Sequence, residues 1–426
     1  MSWGCVISGT VSAEPAAPAP RGRLRAAAAA RFGGLPGAFW IMFSGMIANR
    51  VGNMVVPFLV FFLGTRHVSA GAAGLVAAAV GFGGLFGPAL GGLLADRVGR
   101  RFTVILGLTL TPFGLGALFA APSVPLFIAA AVVLGAGSSV PKPAASALVS
   151  DIVAPAQQMK AFSLLHWAIN IGTAISSAAA GFLAAHGYWL LFLVDGVGCL
   201  AFAVIVYLGV PAGTHPTAGA AERTTGYGVV LRDRVMLGYL AINLLGVLIY
   251  SQTEFAVPLA IKVDGLSPTV FGLVGATNAI LVIVLQPFAY QWMVGLDRVR
   301  ILVAAWLLIG LGVAGTGLAD HAWQYAATTV VWTVGEVAHA MVGATIVADL
   351  APPDARGRYQ GAFAWIWSVA RFAAPAIASL LFVTAGEAAL WWGCVGVAVL
   401  TTAATLRLAG PMRRRAAALA AATRDA

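Results

Sequence analysis

Residues Gly92-Leu93-Leu94-Ala95-Asp96-Arg97-Val98-Gly99-Arg100-Arg101 set an acid, two glycines and three arginines between long apolar runs. The run before spans 71–95 and the run after spans 102–120. Each is close to the roughly 20 apolar residues that cross a bilayer as a helix. The quoted stretch therefore reads as a tight basic turn at a membrane surface.

Outward from this turn the same pattern repeats. Twelve apolar stretches are expected to span: 36–63, 71–95, 102–120, 124–150, 160–185, 188–210, 236–262, 268–292, 301–319, 323–350, 358–385 and 387–409. The longest connection, 211–235, divides them into two sets of six, 36–210 and 236–409. Of the 426 residues, 60% are hydrophobic and 9% charged. A soluble domain is about half apolar and about a quarter charged, so a soluble enzyme and a nucleic-acid binder are both excluded. The net charge of +10 belongs to loops between the spans. With both termini inside, 20 of the 25 Lys and Arg fall on the cytoplasmic side and only Arg66 and Lys262 outside. That bias fixes the expected orientation. Residues 1–35 read as a disordered cytoplasmic tail and 410–426 as a basic one. The first span begins too late, and is too long, for a cleaved leader. Cys5, Cys199 and Cys394 are odd in number and far apart, which implies neither a disulfide framework nor a metal site.

An internal repeat appears at an offset of 198 residues: Val149-Ser-Asp151-Ile-Val-Ala-Pro155 against Val347-Ala-Asp349-Leu-Ala-Pro-Pro353, then Trp167 against Trp365. Two related six-helix halves with a site between them describe an alternating-access transporter.

The quoted turn resembles the signature loop of the major facilitator superfamily, Gly-x-x-x-Asp-Arg-x-Gly-Arg-Arg, at every fixed position: Gly92, Asp96, Arg97, Gly99, Arg100 and Arg101. The resemblance covers about residues 36–410 and implies an all-α membrane protein of two pseudo-symmetric six-helix bundles. It also implies a conformational latch. Asp96 would face the N-terminal end of span eleven, where a helix dipole favours an anion, and Arg100 would pair with Asp151. The corresponding stretch of the second half, Val294-Gly-Leu-Asp297-Arg298-Val-Arg300, looks degenerate.

Ionisable side chains inside spans are costly, about 2.5–3.5 kcal/mol each on insertion scales, and mark functional sites. Arg50 lies in span one, Lys142 in span four, Glu254 in span seven, Glu336 in span ten and Arg371 in span eleven. In the family that this chain resembles, spans one, four, seven and ten line the central cavity. Glu336 and Glu254 are the candidates for proton coupling, because a nearby cation or a change of shape can switch a buried carboxyl. The alternative for Glu336 is a permanent ion pair with Arg371 or Arg50. Arg50, Lys142 and Arg371 are read as cavity counter-ions, and His166 and His339 as polar packing groups. Asp195 lies nearer the outer end of span six. Phe43, Trp167, Tyr250, Trp332, Trp365 and Trp367 are within reach of the cavity and also fit ordinary packing.

Asn49-Arg50-Val-Gly52, Pro57-Phe58, Pro258-Leu259, Asn278 and Gln286-Pro287 further resemble bacterial drug:proton antiporters. Their span-five motif, Gly-x-x-x-Gly-Pro-x-x-Gly-Gly, is represented by Gly172-Thr-Ala-Ile-Ser176-Ser177-Ala-Ala-Ala180-Gly181, with Ser176-Ser177 in place of Gly-Pro. The function expected is proton-coupled export of small amphipathic or drug-like compounds across the inner cell membrane. A facilitator or symporter of one metabolite, or a lipid flippase, is the alternative. The expected partners are a small-molecule substrate, protons and the bilayer; nucleic acid is excluded, no cofactor or metal is implied, and a monomer is expected. An enzyme is not expected, since Glu336 and His339 form a lone Glu-x-x-His without a second copy.

Overall fold

The computed structural model describes residues 34–210, 228–293, 295–352 and 355–424. The expected N-terminal tail, apart from residues 34 and 35, and most of the central connection lie outside these residues. The described chain is helical, without a strand among the described residues. The first half contains α1 (Gly37–Gly52), α2 (Leu59–Thr65), α3 (Ala70–Val98), α4 (Arg100–Ala120), α5 (Val124–Ser139), α6 (Pro141–Ile152), α7 (Pro155–His186) and α8 (Tyr188–Gly209). After the short α9 (Gly228–Leu231), the second half contains α10 (Arg234–Tyr250), α11 (Gln252–Val263), α12 (Pro268–Met293), α13 (Arg298–Gly315), α14 (Ala322–Leu350), α15 (Arg356–Ala385) and α16 (Glu387–Arg424). The basic stretch after 410 thus begins as a continuation of the last helix.

Eleven stretches among the described residues are long and apolar enough to cross a membrane, against the twelve expected. The difference is the first, 36–63, which is two helices rather than one. Pro57 has no N–H to donate to the carbonyl four residues back, and its ring crowds that carbonyl. The chain opens over 53–58. In hydrocarbon each freed backbone group must find another partner. Here the side chains of other helices supply them. Asp195 Oδ2 accepts from the backbone N–H of Met54 at 3.3 Å and of Val55 at 3.2 Å. Ser176 Oγ donates to the Asn53 carbonyl at 2.9 Å. Asp195 is 6% exposed, so water cannot substitute for it as the acceptor.

Two further spans are interrupted and continue in line: α5 and α6 around Val140, ahead of Pro141 and Pro143, and α10 and α11 at Ser251. Within the first half, α3 and α5 approach until backbones touch. A Cβ on Gly135 would stand 1.9 Å from the Val80 carbonyl oxygen, and one on Gly83 would stand 2.1 Å from that of Val132. Small residues allow such approach, and in lipid the gain is van der Waals packing.

The halves meet mainly along two helix pairs, α3 with α15 and α7 with α12, and α11 adds smaller contacts with α2 and α3. Their polar contacts lie at the face remote from the basic turn. Ser379 Oγ donates to the Ala70 and Gly71 carbonyls, and Thr269 Oγ1 to the Gly181 carbonyl. The rings of Phe58 and Phe271 meet there at 5.2 Å. Toward the basic face, α6 and α14 pack against helices of their own half.

Replacing Gly135 with Val is expected to destabilise the first half by about 1–3 kcal/mol, because a carbonyl cannot turn aside as a side chain can. Gly116, whose Cβ would meet nothing within 4 Å, is the control. Gly116→Ala is expected to be neutral or stabilising by up to about 1 kcal/mol. Thermal unfolding in detergent checks both, and equal melting temperatures for Gly135→Val and wild type would contradict the packing account.

Candidate functional site

Three of the five mid-span charges sit at helix interruptions. Arg50 is in the last turn of α1, Lys142 in the first turn of α6 and Glu254 in the first turn of α11. A helix C-terminus favours the first and a helix N-terminus favours the last; Lys142 lies against its dipole. Arg371 is in the middle of α15 and Glu336 in the middle of α14. Arg50 feels the charges of Arg371 and Glu254, and Lys142 those of Arg371, Arg50 and Glu254. Charges from both halves therefore share one neighbourhood between them.

Within this set, Arg371 Nη2 pairs with Glu254 Oε1 at 2.8 Å. Their side chains remain 49% and 43% exposed, so the pair borders open space rather than packed core. Glu336 has a different environment. Tyr250 Oη donates to its Oε1 at 2.7 Å, and Asn278 Nδ2 to its Oε2 at 2.6 Å. Asn278 Nδ2 also reaches Thr333 Oγ1 at 3.0 Å. The Tyr250 ring is held edge-on by Trp332 and Trp367 at 5.9 and 5.6 Å. The ion pair of Glu336 with Arg371 or Arg50, one of the two sequence readings, is not formed: Arg371 is engaged by Glu254, and no described residue pairs with Arg50. His339 is buried, with Nε2 donating to Asn243 Oδ1 at 3.0 Å and its ring on Trp306. The side chain of His166 lies outside the described residues. Trp167 and Trp365 are 43% and 58% exposed.

At the basic face, Gly99 takes φ +99° between α3 and α4, a conformation that side chains resist. Arg100 pairs with Asp151 and donates to the Ala147 carbonyl at 3.1 Å. Arg101 lies 5.3 Å from the Tyr207 ring and donates to the Tyr207 carbonyl. Arg97 is exposed, and Gly92 has open space beside it. The side chain of Asp96 lies outside the described residues, and so does its expected contact with α15.

Sequence reasoning missed three features. The first is Asp195 as the cap of the α1–α2 break. The second is an ion pair between Arg298 and Asp349, which repeats Arg100–Asp151 at the offset of 198. That offset could have found it, had the loop around Arg298 not looked degenerate. The third lies at the end of α16, where Arg415 reaches Asp233 Oδ2 at 2.7 Å and the Leu350 carbonyl at 2.9 Å. Tyr359 Oη donates to the same Asp233 oxygen at 2.6 Å, and Asp233 caps α10 through the Met236 N–H.

The family model for the Major Facilitator Superfamily matches residues 39–267 and 255–424. The Na(+), Li(+), K(+)/H(+) antiporter of Planococcus maritimus is 23% identical over 76% of this chain and 84% of its own length. The multidrug resistance protein MdtH of Cronobacter sakazakii is 27% identical over 64% of this chain and 67% of its own. A crystal structure of a POT family transporter with a thioalcohol-conjugated peptide superposes with a TM-score of 0.75. It is 15% identical and covers 89% of this chain and 97% of its own, a likeness of fold alone. Fold and relatives make this a multi-pass membrane protein of the kind that bacteria place in the inner membrane.

The two ion-pair settings predict different costs. Asp233 is 5% exposed at its side chain and serves a cap, a tyrosine and an arginine at once. Asp233→Ala is expected to destabilise by about 2–4 kcal/mol, less than a wholly buried pair because Arg415 is partly wet. Glu254→Gln is expected to cost under about 1 kcal/mol, since both partners face open space. Unfolding measured for both variants in one detergent checks the order, and a costlier Glu254→Gln would contradict it.

Proposed function

Because the chain belongs to the major facilitator superfamily, we propose that this secondary transporter is a proton-coupled exporter of small amphipathic organic compounds. The basic face is cytoplasmic, both termini lie inside, and the closed remote face is the outer gate. The described state is then inward-facing. One observation carries the coupling: Glu336 is held mid-span by two neutral donors, with no cation attached among the described residues. A carboxyl there must be paired or protonated, and neither donor pairs it. The two oxygens differ in what a proton would do. Asn278 offers an N–H to Oε2 and would have to turn its amide over, away from its present contact with Thr333, to accept from a protonated Oε2. The Tyr250 hydroxyl can reverse and accept from a protonated Oε1. Proton uptake is thereby directed to Oε1 and turns Tyr250 from donor to acceptor. That ring touches Trp332 of α14 and Trp367 of α15, so its hydrogen bonding is tied to the packing of three helices.

Export is supported by the names of relatives, a multidrug resistance protein and a cation/proton antiporter. A second reading, a facilitator or symporter of one metabolite or a lipid flippase, is favoured by Ser176-Ser177 standing where antiporters have Gly-Pro. Ser176 here serves the break in the first span, which accounts for one of the two departures.

Glu336→Gln imitates the protonated carboxyl. In proteoliposomes it is expected to keep downhill exchange and lose accumulation driven by a pH gradient, at wild-type expression. Full gradient-driven accumulation by Glu336→Gln would remove the proton role and direct attention to Glu254.

The basic turn is proposed as the latch, comprising Gly92, Asp96, Arg97, Gly99, Arg100, Arg101 and Asp151. Asp96→Asn is expected to slow transport with topology and expression intact. Asp151→Arg is expected to favour the inward-open state, and adding Arg100→Asp to restore transport in part. A double-mutant cycle showing no coupling between positions 100 and 151 removes the contact from the latch.

A further inference from the structure

The cavity charges are unevenly distributed. Arg50 and Lys142 come from the first half, Glu254 and Glu336 from the second, and Arg371 reaches from the second half to Glu254. With both acids ionised the set remains net positive by one. The side chains of Arg50 and Lys142 have neither a hydrogen-bond nor an ion-pair partner among the described residues. Each feels Arg371 as a like charge and Glu254 as the opposing one, and Glu254 is already taken. Lys142 is exposed and Arg50 partly so, and both therefore border the open space between the halves, where two cations without an anionic partner among the described residues attract an anion.

Local structure holds both cations in place. The stem of Arg50 lies against Gly172 of α7, where a Cβ would stand 2.7 Å from Arg50 Cβ. Only a residue without a side chain leaves Arg50 that room. Lys142 lies between Pro141 and Pro143 in the first turn of α6. Its ammonium therefore adds to the positive end of a helix, where an anion is favoured. The alternative occupant, a cation, would meet three positive side chains and one acid that Arg371 already neutralises.

We propose that Arg50 and Lys142 form an anion-binding subsite, and that the transported solute carries a compact anionic group such as a carboxylate or phosphonate. This inference rests on the transport reading above and names the substrate class of that same site. The head group sits beside the two cations of the first half, and the body extends across the cleft toward the half-exposed Arg371–Glu254 pair of the second. One solute then touches both halves, as alternating access around a central site requires.

The test is equilibrium binding to the purified full chain in nanodiscs, without a proton gradient, using one skeleton in three charge states. The probes are 3-phenylpropionate, 3-phenylpropan-1-ol and 3-phenylpropylamine, with sulfate as competitor. The carboxylate is expected to bind at least about tenfold tighter than the amine or the alcohol. Arg50→Gln and Lys142→Gln are each expected to erase most of that preference, and Arg50→Lys and Lys142→Arg to keep it, which separates lost charge from lost folding. Competition by sulfate assigns the subsite to compact anions generally; its absence assigns it to organic anions. The proposal is overturned if the amine binds as tightly as the carboxylate, if 3-phenylpropionate does not bind, or if both Gln variants keep the preference. Since no gradient is imposed, these outcomes are independent of proton coupling. A failure of the coupling reading in the gradient assay therefore leaves the anion subsite standing, and the reverse.

Discussion

Hydrocarbon contains no water to accept a backbone N–H, and a chain that crosses it must match every such group from within. The break between α1 and α2 is where this constraint bears hardest. Pro57 prevents a continuous helix, and the opened segment lies among packed helices rather than at a surface. Asp195 and Ser176, on two other helices, supply what the segment has lost. Because that segment is fixed, α1 ends where it does, Arg50 falls in its last turn, and a charge is presented to the space between the halves.

The interruptions in the other spans act in the same way. A charged residue in the middle of an unbroken spanning helix has few good settings, whereas a helix end brings a dipole. Arg50 and Glu254 occupy ends that favour their charge, and Lys142 occupies one that opposes it. Glu336 is different, lying within an unbroken helix and relying on neutral donors from α10 and α12. The repeat relates the two frames but not their charges: position 142 is Lys where position 340 is Ala, and position 336 is Glu where position 138 is Ser. Common architecture with unlike linings gives each half its own chemistry, cationic in the first and acidic in the second.

The architecture was readable because it depends on properties summed over about twenty residues at a time: apolar length, loop charge and repeat offset. The basic turn was readable because its residues are neighbours in sequence. What escaped depends on pairings across long separations. Pro57 is visible as a helix breaker, but its remedy in Asp195 is 140 residues away. The partners of Glu336 were open because two cations, Arg371 and Arg50, stood at comparable depth, and only the packing of α15 shows that Arg371 goes to Glu254. Ser176 looked like a departure from a motif; in the fold it answers a carbonyl that Pro57 leaves free. The stretch after 410 looked like a tail because it is rich in arginine, yet Arg413 and Arg415 find Asp297 and Asp233 as partners.

The cap on the first break has a bearing on how the chain is built at the ribosome. Met54 and Val55 enter the membrane early, whereas Asp195 is made 140 residues after Val55. Until the sixth span arrives, the opened segment has no acceptor for its two N–H groups. The nascent first span must wait at a wet boundary, beside the insertion machinery, or in a provisional helical form. Its earliest helices gain their final acceptor only when the latest one of the half is delivered.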